Sequence, residues 1–105
     1  MKSTPIFGDI KLKEEFEKIK DRQLAKQLEK AIENLQENAF CGIQIPKKLI
    51  PKEYIKRFGE LSNLWKYNLP DAWRLIYTIK NNNITILSVL LEWLDHKEYE
   101  RRFRY

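Results

Sequence analysis

The 105-residue chain is poor in the residues that many simple chemistries require: it has one cysteine, one histidine and three glycines. A lone Cys41 excludes an internal disulfide and fits a reducing compartment. With no His or Cys near it in sequence, it reads as a buried thiol rather than a reactive one. One His and one Cys cannot supply a zinc site built from those ligands. Three glycines, none closely spaced, exclude a glycine-rich phosphate loop. No Ser or Cys nucleophile has a spare His near it in the chain. No apolar run approaches the roughly 20 residues of a membrane span; the longest, Ile84 to Leu91, is interrupted by Thr85 and Ser88. The opening Met1-Lys2-Ser3-Thr4-Pro5 lacks the apolar stretch of a secretory signal. These absences lead to the expectation of one cytoplasmic domain over residues 1–105, with no membrane contact, cofactor or metal.

What is present suffices for one packed core, since 43% of residues are hydrophobic and 12% aromatic. The net charge of +5 is unevenly placed. Residues 1–38 hold eight basic and eight acidic side chains, whereas residues 39–105 hold twelve and seven and so carry the whole excess. A basic excess confined to one part of the chain suits a polyanionic partner, a nucleic acid or an acidic protein; solubility alone is the plain alternative.

Leu12, Phe16 and Ile19 recur at i, i+4 and i+7, which predicts a helix over 11–20. A second stripe at Leu24, Leu28, Ile32 and Leu35 predicts another over 22–38, with Asp21 as its N-cap. The stripes are out of phase by about one residue, roughly 100° of turn, so a break at Asp21 and a helical hairpin explain them better than one long helix. The outer faces alternate Glu and Lys, ordinary decoration of solvated helices. Gly42 is placed as the residue that ends the second helix. Residues 43–63 then form a connector with Pro46, Pro51 and Gly59, a helical turn near 53–58, and the cations Lys47, Lys48, Lys52, Lys56 and Arg57.

From Leu64 the period becomes two, which predicts strands near 64–69, 72–80 and 83–93. Pro70-Asp71 supplies the first turn, and Asn81-Asn82 tolerates the positive φ of a tight second one. The third strand is apolar on nearly both faces, as a strand covered on each side must be. Asp95 can cap a last helix through Phe103. Residues 1–10, with Pro5 and Gly8, make a poor strand. The fold class is therefore α+β: an N-terminal helical hairpin packed on an antiparallel sheet of three to four strands, followed by a short C-terminal helix. The three tryptophans, Trp65, Trp73 and Trp93, share strand positions with aliphatic neighbours and read as core.

Strand alternation turns Arg74 away from the face that Trp73 and Leu75 bury, and antiparallel pairing can set Lys66 beside it. Beyond the third strand, His96 and Tyr99 stand one helical turn apart. An imidazole, a phenol and cations converging on a basic surface can cleave RNA without a metal. One group takes the 2′-OH proton, another protonates the leaving 5′-oxygen, and the cations stabilise charge on the phosphorane. Each member also has a plainer role open to it: Arg74 as the partner of Glu92, His96 and Asp95 at the helix start, and Tyr99 in the core with its hydroxyl at the rim.

The run Leu64-Trp-Lys-Tyr-Asn-Leu-Pro-Asp-Ala-Trp-Arg-Leu-Ile-Tyr-Thr-Ile79, followed by residues 86–101 with -Asp-His-Lys-Glu-Tyr-Glu-Arg- at 95–101, resembles the RelE/ParE toxin superfamily. The helical hairpin ahead of the strands agrees, so the resemblance covers nearly the whole chain. It implies a toxin of a type II toxin–antitoxin system, held by a cognate antitoxin. RelE-like members imply ribosome-assisted, metal-independent cleavage of mRNA. Carried over by position, Arg74 would hold the scissile phosphate, and His96 or Tyr99 would be the acid or base. Lys47, Lys48, Lys52 and Lys66, with Arg101 and Arg102, would hold RNA or rRNA. ParE-like relatives share the fold but act on DNA gyrase without cutting RNA. A degenerate toxin fold kept as a binding module is the third reading.

Overall fold

Asp9 and Asp21 begin the two helices that the apolar stripes anticipate. In a computed structural model, which describes residues 1–82 and 85–103, α1 spans Ile10–Glu17 and its N-cap Asp9 accepts from the Leu12 N–H at 2.7 Å. Helix α2 spans Arg22–Glu37, with Asp21 accepting from the Gln23 and Leu24 N–H groups at 3.0 and 3.1 Å. Each carboxylate satisfies amide donors that the first helical turn leaves without a partner. The chain breaks between the helices where the change of phase required it.

Five strands follow in the sheet order β1-β5-β4-β3-β2. They are β1 (Thr4–Phe7), β2 (Ile43–Gln44), β3 (Trp65–Asn68), β4 (Arg74–Asn82) and β5 (Thr85–Leu94). The β2–β3, β3–β4 and β4–β5 pairs are antiparallel, whereas β1 runs parallel to β5. The expected antiparallel sheet of three to four strands is therefore corrected to a mixed sheet of five.

The N-terminal segment forms a strand despite its composition because β5 offers it an edge. Pro5 has no amide hydrogen, and an edge strand is where that lack is tolerated. Gly8 donates to the Leu90 carbonyl at 2.7 Å, and a Cβ there would lie 2.7 Å from that same oxygen. The close approach needs glycine. Ser3 Oγ donates to the Leu35 carbonyl at 2.7 Å and lies 2.7 Å from Ser88 Oγ. With its single proton committed to Leu35, Ser3 accepts from Ser88, and one buried hydroxyl pair joins the N-terminus, α2 and β5.

The connector holds a second strand that composition concealed. Short β2 pairs Ile43 with Lys66 and Gln44 with Trp65. A 3-10 turn at Lys47–Leu49 and helix α3 (Lys52–Phe58) follow. Helix α2 has ended at Asn38, so Gly42 does not terminate it. A Cβ on Gly42 would lie 2.6 Å from both the Lys66 carbonyl oxygen and Tyr77 Oη. The Tyr77 hydroxyl accepts from the Gly42 N–H at 3.1 Å and donates to the Ala39 carbonyl at 2.8 Å. Burial raises its pKa above the usual phenol range. Cys41 is exposed rather than buried, in the loop between α2 and β2.

Both faces of the sheet are covered. On one, Leu12, Leu24, Leu28, Ala31 and Leu35 pack with Leu75, Tyr77 and Leu90, joined by Phe16, Ile19, Ile32, Trp73 and Ile79. This matches the register expected for β4. On the other, Ile76, Val89, Leu91 and Leu94 pack against Ile45, Tyr54, Tyr99 and Phe103. Tyr99 and Phe103 belong to α4 (His96–Phe103). An irregularity between Ile76 and Tyr77 leaves Leu91 out of the β4–β5 pairing, so Leu91 and its neighbour Glu92, the partner of Ile76, turn to the same face. Asn81 and Asn82 pair with Ile86 and Thr85, so β4 continues through the two residues expected to form the turn. Residues 83 and 84 lie outside the described residues.

Candidate functional site

The α4 face of the sheet gathers the cations that strand alternation pointed to. Lys66 is the ladder partner of Ile76, and Arg74 lies two residues before Ile76 on β4, so both share that face. They meet over one ring. The Lys66 ammonium donates to Tyr99 Oη at 3.1 Å and lies 5.0 Å from the ring centroid. The Arg74 guanidinium carbon lies 5.3 Å from the same centroid. Tyr99 is 4% exposed and stacks on Phe103 at 4.6 Å between centroids. The phenol is thus core with its hydroxyl held by a cation, the plainer of the readings open for it. An aromatic face attracts cations and orders them when they are part-desolvated.

Arg74 does not pair with Glu92. Its Nη1 donates to the Trp73 carbonyl at 3.3 Å, and its Nε–H is a buried donor without a partner among the described residues. Glu92 instead receives Arg102 Nη1 at 2.7 Å and lies 3.7 Å from Arg57 Nη1. Arg102 also lies 3.1 Å from Glu53 through its Nε. Arg102 therefore spends its charge on two carboxylates, binding α4 to α3 and β5, and stands apart from the other cations assigned to RNA. Burial raises the Glu92 pKa, opposed by the hydroxyl of Tyr54 and the charges of Arg102 and Arg57. Burial and the Glu92 charge in turn hold the Tyr54 phenol protonated.

Helix α4 starts as expected: Asp95 accepts from the Glu98 N–H at 2.8 Å. His96 is exposed, and its Nε2 faces Glu100 Oε1 at 2.9 Å. The structure therefore brings together Arg74, Lys66 and Tyr99, with His96 turned towards its own helix. Lys47, Lys48 and Lys52 are exposed on the segment whose Ile45 and Tyr54 pack on this same side of the sheet. Arg101 is exposed on α4.

Asn68 escaped the reading of the sequence. Exposed at the end of β3, it is the ladder partner of Arg74. Between them the chain turns through Pro70–Ala72, where Asp71 and Ala72 take φ of 60° and 64°. The left-handed conformation is costly for alanine. The Pro70-Asp71 pair signalled a turn, but the sequence carries no signal for that strain.

A central sheet thus carries a helix pair on one face and, on the other, cations gathered beside the last helix. Residues 10–91 match the family model described as ParE toxin of type II toxin-antitoxin system, parDE. The chain is 31% identical over 68 residues to Toxin YoeB of Mycobacterium bovis, covering 65% of this chain and 71% of the relative. The same figures hold for Toxin RelK of Mycobacterium tuberculosis. No solved structure matches. The chain belongs to the RelE/ParE superfamily of type II toxin–antitoxin toxins, a family that implies an antitoxin partner. No helix among the described residues is long and apolar enough to cross a membrane.

Proposed function

We propose that this toxin is a RelE-like endoribonuclease that cuts mRNA without a metal, assisted by the ribosome, and so arrests translation. The observation that carries this reading is the guanidinium of Arg74, whose buried Nε–H has no partner among the described residues, with Lys66 over the same Tyr99 ring. Two cations gathered beside one ring suit a phosphodiester. Arg74 binds the scissile phosphate and stabilises charge as the 2′-oxygen attacks, with Lys66 supporting it. The P–O5′ bond breaks as the 2′-oxygen bonds to phosphorus, and His96 or Tyr99 takes the 2′-OH proton or delivers one to the leaving 5′-oxygen. Lys47, Lys48, Lys52 and Arg101 hold RNA more distantly, and their contacts weaken steeply with salt. Similarity to relatives named YoeB and RelK supports the same branch.

The family model itself favours a second reading. Its description is ParE, and its match stops at residue 91, before His96 and Tyr99. On that reading the chain acts by binding a protein target such as DNA gyrase. Expression without a partner, followed by mapping of 5′ ends on cellular mRNA, separates the two. New cuts that vanish with Arg74→Ala support the nuclease. DNA damage with intact mRNA supports the ParE-like alternative.

A further inference from the structure

On the opposite side of the sheet from Tyr99, α2 and β3 enclose a groove of about 560 Å³ whose lining contains no carboxylate. Along α2, Gln27 and Asn34 stand seven residues apart, and Lys26 and Lys30 stand one turn apart, so these side chains form a band on one flank of the helix. The facing wall is Tyr67 and Asn68 of β3. Asn34 Nδ2 donates to Tyr67 Oη at 2.6 Å, which fixes that amide and leaves its carbonyl oxygen as an acceptor.

Two features connect this groove to the Arg74 site. Asn68 belongs to both, lining the groove and pairing with Arg74 in the β3–β4 ladder. In addition, among the described residues β2 pairs with β3 only at Trp65 and Lys66, so Asn68 at the end of β3 lies beyond that pairing and is exposed. A flexible chain lying on Arg74 can cross the sheet edge there and enter the groove.

We infer that this groove is a second RNA subsite, which holds the single-stranded nucleotides flanking the one at Arg74. The inference rests on the nuclease reading above and deepens it. Charge and chemistry both select this occupant. Lys26 and Lys30 provide two ammonium groups for phosphates with no acid in the lining. Carboxamides carry a donor and an acceptor side by side, the pattern that pairs with base edges and discriminates among them. An apolar protein helix would find few apolar side chains here, only Leu69 and Pro70 beside the polar band.

The test uses the full chain and a short, mixed-sequence RNA made non-cleavable by 2′-O-methyl groups, with binding read by fluorescence anisotropy across a salt series. Lys26→Gln with Lys30→Gln should weaken binding roughly tenfold and reduce the salt slope by about one to two counterions. Lys26→Arg with Lys30→Arg should restore both. Lys11→Gln with Lys13→Gln on α1 is the charge-matched control and should change the slope much less. Gln27→Ala should alter base preference by roughly tenfold at one position. Thermal melting shows that each variant is folded. Equal losses from the α1 control would reduce the effect to net charge and overturn the subsite. Wild-type cutting together with unchanged binding by the Lys26/Lys30 variant overturns it while leaving the nuclease reading intact. Unchanged RNA binding with loss of a protein partner would make the groove a protein surface instead. If the wild type neither binds nor cuts RNA, the nuclease reading fails and the subsite falls with it.

Discussion

Arg102 and Glu92 form the tie between the last helix and the sheet: Arg102 Nη1 lies 2.7 Å from Glu92 Oε2, with side chains 27% and 10% exposed. A charge this withdrawn from water is costly unless it is paired, and Arg57 stands at 3.7 Å as a weaker second partner. Because Tyr99 lies on the same helix, the pair also holds the platform on which Lys66 and Arg74 rest.

Arg102→Met should therefore destabilise the fold by about 3 kcal/mol, the scale for leaving a buried carboxylate without its partner. Glu92→Leu combined with Arg102→Met should recover most of that loss, since apolar residues of similar volume often replace a buried ion pair at little cost. Urea unfolding of the two variants makes the comparison. A double variant no better than the single one would mean that Glu53 or Arg57 carries the tie.

The pH dependence of stability follows from the direction of the Glu92 shift. Burial raises its pKa in the folded chain, so the folded state holds this proton when the unfolded state has released it. Its contribution is fully present below the ordinary carboxylate pKa of about 4.3 and is lost as pH rises through the folded value. Wild type should accordingly lose stability relative to Glu92→Gln as the pH is raised from about 4 towards neutrality. Melting temperatures of both proteins across that range read the difference. Parallel curves would show that Arg102 and Arg57 already compensate the burial.

Ala72 holds φ at 64° in the turn between Asn68 and Arg74. Alanine in the left-handed region costs roughly 1–2 kcal/mol, whereas glycine adopts it freely but gives up some of that gain to the entropy of the unfolded chain. Ala72→Gly should stabilise the protein by about 0.5–1 kcal/mol. If the strain helps to aim Arg74, RNA cleavage should fall as stability rises. Denaturant midpoints and cleavage rates on the same preparation test both parts.

Arg74→Ala should lower the rate of RNA cleavage by roughly 10²–10³, the scale for losing one group that stabilises developing charge. Whichever of His96→Ala or Tyr99→Phe removes the proton-transfer group should cost roughly 10²–10⁴. The structure makes these separable, since His96 is exposed while the Tyr99 hydroxyl holds Lys66. Tyr99→Phe keeps the ring and its stacking on Phe103, so a loss there belongs to the hydroxyl. A folded triple variant of Arg74, His96 and Tyr99 that remains fully toxic would leave toxicity to protein binding.

Much of this protein is legible in the chain because its signals are local. The stripes Leu12-Phe16 and Leu24-Leu28-Ile32-Leu35 fix which helix faces are apolar, although α1 ends at Glu17 and leaves Ile19 beyond it, and Asp21 and Asp95 cap helices through amides two or three residues away. Period-two alternation placed Trp73, Leu75, Tyr77 and Ile79 against those helices and put Lys66 and Arg74 on the other face.

Only the tertiary structure decided the features that depend on distant partners. The strand Thr4–Phe7 forms because β5 offers an edge, although Pro5 and Gly8 argue against it locally. Arg74 and Arg102 are the same residue type, yet one has a buried donor with no partner among the described residues and the other is bound by Glu53 and Glu92. Lys26 and Lys30 stay exposed on α2, as their alternation with Glu implied, but only the packing of β3 sets them beside a groove shared by Gln27, Asn34 and Tyr67. Local patterns determine which face a side chain takes, because backbone geometry repeats over a few residues. What then meets that face is determined by packing between segments far apart in the chain, for which no short-range signal exists.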